Sequence, residues 1–166
     1  GDSKVVDADG KPLVVYHGTD SDFGAFERAD GSRSGSETAR LGFWFASDPA
    51  LATRWAESGG GTGGNVVASF LAIRNPMDVP AAAIRRAVES GSPQQERAVV
   101  SELQAKATAA GHDGLRVVGE GSGDGSAWAK EWERDSYIAF RPEQIKSAIG
   151  NRGTYDPADP SILNKD

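Results

Sequence analysis

The chain has 166 residues, 38 % hydrophobic and 25 % charged, enough to enclose one hydrophobic core and too mixed for a disordered tail. Its formal charge of −6 argues against a surface that tracks a phosphate backbone, which needs clustered Lys and Arg. With no cysteine and two histidines, disulfides and thiolate chemistry are excluded and a His-rich metal site is not expected.

In chain order, VVDADGKPLVVYHG (5–18) sets β-branched residues on both sides of Asp-Ala-Asp-Gly, the pattern of a hairpin feeding a buried strand that ends near His17. Residues 20–40 are small and polar, which predicts a surface loop. LGFWFASDPALATRWAES (41–58) predicts a short aromatic strand, a Ser-Asp-Pro helix start and a helix running to the glycines at 59–64. NVVASFLAIRNPMDV (65–79) follows as a strand that stops at Asn75-Pro76. Two amphipathic helices are expected over about 80–90 and 93–110. GHDGLRVVG (111–119) reads as a turn and a short strand, and the glycine-rich stretch 119–135 as a loop carrying two tryptophans and several acids. SYIAF (136–140) is another strand, PEQIKSAI (142–149) closes the sheet, and 151–166 forms an extended tail after a single domain over 1–150. Short strands outnumber helices without a regular βαβ alternation, so an α+β domain built on antiparallel sheets is expected. No apolar run approaches the ~20 residues that span a bilayer, and GDSKVVDADG shows no secretory signal, so a cytoplasmic setting in a bacterial or host cell is the expectation.

Three patches share an order that carries information. Tyr16-His17-Gly18-Thr19 stands at a strand end, GFWFAS enters a helix with a second aromatic at Trp55, and SYIAFRPEQIKS lies near the end. This arrangement resembles the ADP-ribosyltransferase superfamily, in its histidine-type branch with diphtheria toxin and the poly(ADP-ribose) polymerases. Within that branch it is similar to the transferase domains of phage and bacterial polyvalent proteins, whose ends read like PEQIKSAIGNRGTYDPADPSIL. The resemblance covers about residues 13–163. It implies a split β-sandwich of two antiparallel sheets with flanking helices, and NAD+ held in the cleft between the sheets.

It also implies roles for individual residues. His17 falls on the family histidine that hydrogen-bonds the adenosine-side ribose, a task suited to a ring with one donor and one acceptor at neutral pH. Gly18 matches the position whose backbone grips the nicotinamide carboxamide, where a missing side chain admits the ligand, and Tyr16 and Thr19 flank the pair. Trp44 stands where relatives carry a motif tyrosine, and Trp55 where a second aromatic stacks on nicotinamide. Phe45 and Ala46 continue the second patch, and Ala52 takes the place of a small residue that leaves room for the ring. Together these place His17, Trp44 and Trp55 around one pocket.

The third patch departs from its relatives. Where they begin the last motif strand with a glutamate that opposes the sugar cation, this chain has Ser136, a hydroxyl without charge. Asp135 is favoured as the substitute, with Glu133 and Glu131 as further sources of charge, although strand alternation turns Asp135 and Ser136 to opposite faces unless a bulge intervenes. Gln144 is a further candidate for a polar contact near the cleft. The glycine-rich segment before this motif sits where relatives meet their acceptor.

The implied reaction cleaves the nicotinamide–ribose bond of NAD+ and transfers one ADP-ribose to a protein side chain or nucleic acid, with no metal, as a phage- or bacterium-encoded effector or toxin. Water as acceptor makes the protein an NAD+ glycohydrolase. A binding module that keeps the cleft without catalysis, or an interaction domain of a large phage protein, are the readings from other classes. The acidic balance argues against DNA and against a membrane, while an RNA acceptor stays open through a local stacking patch.

Overall fold

In the computed structural model, which describes residues 3–19, 37–58, 65–121 and 132–148, the chain begins with the expected turn. The Gly10 N–H donates to the Asp7 carbonyl at 3.0 Å, the Asp7 carboxylate accepts from Asp9 and Lys11 N–H groups, and Val6 bridges Pro12. Gly10 takes φ +79°, a conformation that costs glycine nothing. From this turn the chain enters β1 (Val15–Thr19). Most of the predicted 20–40 loop, the 59–64 connection, the core of the glycine-rich segment and the tail lie outside the described residues; a short 3-10 turn covers Glu37–Leu41.

Next come β2 (Phe43–Ala46), α1 (Pro49–Ser58) and β3 (Asn65–Leu71). The helix starts where Ser-Asp-Pro predicts: the Asp48 carboxylate accepts the Ala50 N–H at 2.9 Å, and Pro49 needs no N–H partner in the first turn. β3 ends at Leu71, short of the expected stop at Asn75, and after Asn75 the chain forms β4 (Pro76–Pro80), a strand that the two prolines conceal in the sequence. It tolerates them because it is an edge strand, paired on one side only. The helices α2 (Ala81–Glu89) and α3 (Pro93–Ala109) follow, the latter capped by Ser92, which accepts the Gln95 N–H. Then come β5 (Gly114–Val118), β6 (Ser136–Ala139) and, after a 3-10 turn at Pro142–Gln144, β7 (Ile145–Ser147).

The strands form one seven-stranded sheet in the order β4-β5-β6-β2-β1-β3-β7. This corrects the expectation of two antiparallel sheets: β4 and β5 run parallel, joined through α2 and α3, and every other pairing is antiparallel. The α+β class stands. β1 and β2 are in register only at Tyr16–Ala46, whereas β1 and β3 share five registered pairs.

Strand alternation sorts the core. On one face Val15, Phe43, Phe45, Leu71, Tyr137, Ala139 and Ile145 pack with Val5 and Ile73. On the other, Ile138, Leu115 and Val117 pack under α2 and α3 with Ile84, Val100 and Ala107, while Ala46 meets Leu51 and Ala52 of α1. Where β5 leaves the sheet, Gly119 passes so close to the Glu133 carbonyl and the Arg134 backbone that a Cβ has no room. Gly119→Ala is expected to lower stability by about 1–3 kcal/mol, seen as a lower urea midpoint at unchanged slope.

Candidate active site

The site lies where the backbone ladder runs out. One row of residues crosses four strands in register: Val117 of β5, Ser136 of β6, Ala46 of β2 and Tyr16 of β1. On one side of this row β1 parts from β2 while β2, β6 and β5 stay paired as far as Phe43, Ala139 and Gly114; on the other side the β2–β6 ladder ends.

Between β1 and β2 stands the His17 side chain. Its Nδ1 lies 2.7 Å from the Trp44 carbonyl oxygen, which can only accept, so Nδ1 carries the proton and donates. In the neutral ring Nε2 is then the acceptor. The ring rests against Phe45, with centroids 5.2 Å apart and planes at 44°. Burial pushes the His17 pKa below its ordinary value, and the bond to Trp44, which favours the charged form, offsets this only in part. The imidazole is therefore neutral at pH 7.

That bond also orients Gly18. Since the Trp44 carbonyl points at β1, and polar groups of alternate residues point the same way, the N–H and C=O of Gly18 share the side that Tyr16 turns to β2. They face the gap that opens beyond Tyr16. Thr19 ends β1 opposite Asn65; its side chain lies outside the described residues.

Trp44 and Phe45 have different surroundings. Phe45 is fully buried and supports the His17 ring from below. Trp44 is half-buried against the α2/α3 side of the core, and its indole Nε1–H donates to the Thr38 carbonyl at 2.9 Å. That bond commits the indole N–H to backbone. The turn that carries Thr38 is itself held to α3, where Gln104 donates to the Arg40 carbonyl at 2.8 Å and Arg97 meets Glu37 at 3.3 Å. Ala52 is buried against Ala46 and Leu51, with Tyr16 packed on the same cluster. Trp55 stands three residues further along α1, its side chain outside the described residues. The structure thus sets Trp44, Ala46 and Ser136 on the face of the sheet that Tyr16 and Ala52 share, while the His17 ring lies on the Phe45 face and meets this group through the Trp44 carbonyl.

Asp135 and Ser136 part company. The β2–β6 register runs from Phe43–Ala139 to Ala46–Ser136 without a slip, so the bulge that could unite them is absent from this ladder. Ser136, 3 % exposed, stays in the row with Ala46. The Asp135 carboxylate turns instead to the exit of β5, where Oδ1 accepts the Gly119 N–H at 2.9 Å. It acts electrostatically on Arg116 and, after burial, helps raise the Tyr137 pKa; both residues lie on the far face. Of the other acids, Glu133 is half-buried and its carbonyl accepts the Gly121 N–H at 3.0 Å, and Glu131 lies outside the described residues.

Gln144 stands apart from this region. It is 2 % exposed, and its Oε1 accepts the N–H groups of Phe140 and Arg141 at 3.1 and 2.8 Å. Its Nε2 donates to the carbonyls of Ala72 and Asp113 at 3.1 and 2.8 Å. The amide is fully engaged with backbone, so the polar cleft contact expected of it is replaced by a structural one.

Two residues at the site carry no motif signal. Thr38 acts through its backbone, which no sequence pattern marks. Ser47 precedes the Asp-Pro helix start and looks like part of the cap, yet its hydroxyl donates to the Asp135 carbonyl at 2.8 Å. Among the described residues, no three His, Asp or Glu side chains are grouped to hold a metal ion.

The family described as ADP-ribosyltransferase in polyvalent proteins matches residues 7–155. No curated protein and no solved structure matches the chain.

Proposed function

The chain belongs to the ADP-ribosyltransferases of polyvalent proteins, and from that premise we propose that it binds NAD+ across the ends of β1, β2 and β6 and transfers a single ADP-ribose to a macromolecular acceptor. The observation that carries this reading is the His17–Trp44 bond, which opens β1 from β2 and sets a neutral imidazole and the Gly18 peptide at the same gap.

In this reading His17 Nε2 accepts from a hydroxyl of the adenosine-side ribose. The Gly18 N–H donates to the carboxamide oxygen of nicotinamide and its C=O accepts from the carboxamide NH2, a pairing that fixes the ring in its plane. Trp44 offers its face, since its N–H is committed to Thr38. Trp55 provides the second aromatic wall and Ala52 the room between.

The bond between the ribose C1′ and the nicotinamide nitrogen then breaks. Its electron pair leaves with nicotinamide, which is cationic while attached and departs neutral, so no proton is needed for the leaving group. The acceptor bonds to C1′ and loses its proton to solvent or to a group of its own. What the chain supplies is alignment at both ends of the dinucleotide and a hydrogen bond from Ser136 to the ribose 2′-hydroxyl. A serine hydroxyl at this position is no base to activate a further ribose as acceptor, which favours single transfer.

The direct test is incubation with labelled NAD+ and a bacterial lysate, with nicotinamide release measured and mass spectrometry used to find the molecule that gains ADP-ribose. Release without any labelled acceptor identifies an NAD+ glycohydrolase.

A second reading, a module that binds NAD+ or ADP-ribose without cleaving it, is favoured by one observation: the acid next to Ser136 is tied to Gly119 and turned away. Two substitutions separate the readings. Ser136→Ala is expected to lower nicotinamide release about tenfold with little change in NAD+ affinity, the signature of an interaction made in the transition state. Asp135→Asn keeps an acceptor for the Gly119 N–H while removing the charge, and release should stay within about threefold of the parent chain. A loss of about a hundredfold in Asp135→Asn would instead make the carboxylate a direct participant. Calorimetric binding without any release in the parent chain would establish the module.

A further inference from the structure

The ladder between β2 and β6 ends at Ala46–Ser136 because at Ser47 the chain turns out of the sheet toward α1. Ser47 and Asp135 are the next residues in register. In place of a backbone bond, the Ser47 hydroxyl donates to the Asp135 carbonyl at 2.8 Å. That carbonyl belongs to the peptide unit that enters Ser136.

This hydroxyl does not start the helix. The cap of α1 is Asp48, whose carboxylate accepts the Ala50 N–H at 2.9 Å and whose carbonyl accepts from Leu51 and Ala52. The Ser47 bond therefore joins two separate parts: the root of α1, which packs on Ala46 and Tyr16 through Leu51 and Ala52, and the first residue of β6. From its other side the same β6 entry is held by Gly119 N–H through the Asp135 carboxylate. The entry is thus pinned on two flanks, once through main chain and once through side chain.

We propose that Ser47 is a positioning residue for cleavage of the nicotinamide–ribose bond. Its hydroxyl sets Ser136 relative to α1, the two elements that face the nicotinamide end of NAD+, and it acts through them without touching the dinucleotide. The inference rests on the reading of the cleft given above. The adenosine end is held by His17 on β1, through contacts that do not pass through Ser47. Loss of the hydroxyl should therefore disturb the reacting geometry more than the affinity, because reaction rates are steep in small displacements of the reacting atoms.

The test compares Ser47→Ala with Ser47→Thr, which keeps the hydroxyl, in the full chain. Three quantities are measured: nicotinamide release at saturating NAD+, NAD+ affinity by calorimetry, and amide hydrogen exchange across 49–53 and 135–139. In Ser47→Ala, release is expected to fall about tenfold while affinity changes by less than about threefold, and exchange at the β6 entry and the first turn of α1 speeds up. Ser47→Thr should restore both release and exchange. A merely structural serine would lower the melting temperature and leave release at low temperature unchanged; that result, or a threonine variant as impaired as the alanine one, overturns the proposal. If the parent chain neither binds nor cleaves NAD+, the proposed function fails on its own, and exchange alone decides whether the Ser47 tie exists: faster in alanine and restored in threonine supports it, unchanged in both removes it.

Discussion

Nicotinamide release from His17→Ala is expected to fall at least about a hundredfold, while the melting temperature drops by only a few degrees. The two effects differ because the ring has two jobs of unequal weight. Toward the protein it donates a hydrogen bond to the Trp44 carbonyl and rests against the Phe45 ring. A water molecule can replace the first at a cost of about 1 kcal/mol. In the proposed reading it also offers the dinucleotide a fixed acceptor, and its bond to Trp44 stands beside the Gly18 peptide. Full activity in this variant, measured beside a parent chain that cleaves NAD+, would remove His17 from the site.

The same residue sets a pH dependence whose sign follows from its environment. Burial lowers the folded pKa of His17 below the unfolded one, so the unfolded chain binds the proton more readily. The stability contributed by the neutral ring is present above the ordinary imidazole pKa of about 6.5 and is lost as pH falls through it. Urea midpoints measured from pH 8 to pH 5 should decline in the parent chain, and the part due to this residue should vanish in His17→Ala.

Gln144→Ala is expected to cost at least about 3 kcal/mol, or to prevent folding, with the loss read as a lower urea midpoint. One amide satisfies two N–H groups and two carbonyls drawn from three separate segments, at Ala72, Asp113 and Phe140–Arg141. Gln144→Glu is the sharper variant, because it nearly preserves shape yet replaces the donor that faces Ala72 and Asp113 with a second acceptor. The introduced carboxyl, buried against two carbonyls, is expected to have a raised pKa, so the variant's stability is best below the ordinary glutamate value and is lost as pH rises. A Gln144→Glu variant as stable as the parent at pH 7 would mean that the amide bonds carry little weight.

Much of the helical part was legible, since Ser-Asp-Pro announces its helix through capping chemistry that is local in sequence and the two later helices show in their apolar spacing. The strands at Phe43–Ala46 and Ser136–Ala139 were legible for a similar reason, as short aromatic or apolar runs with clear edges. β4 was not, because Pro76 and Pro80 read as breakers until it is known that the strand lies at a sheet edge, and edge position is a tertiary fact. The parallel β4–β5 pairing depends on the same hidden strand. At the proposed site, the motif Tyr16-His17-Gly18-Thr19 is what points to His17 and Gly18. The separation of Asp135 from Ser136 follows from strand period, but which way each turns depends on Gly119, 16 residues from Asp135 in sequence. Gln144 misleads for the opposite reason: a polar residue in a motif suggests chemistry, and only burial shows that its partners are all backbone.

The lone Tyr16–Ala46 rung has a mechanical consequence. Where β1 meets β2 the described pairing is Tyr16–Ala46 and the His17–Trp44 bond, so the apolar layer of Val15, Phe43 and Phe45 carries much of the cohesion between the two halves of the sheet. A flat guest lodged beside His17 would therefore be met by side chains more than by a backbone ladder.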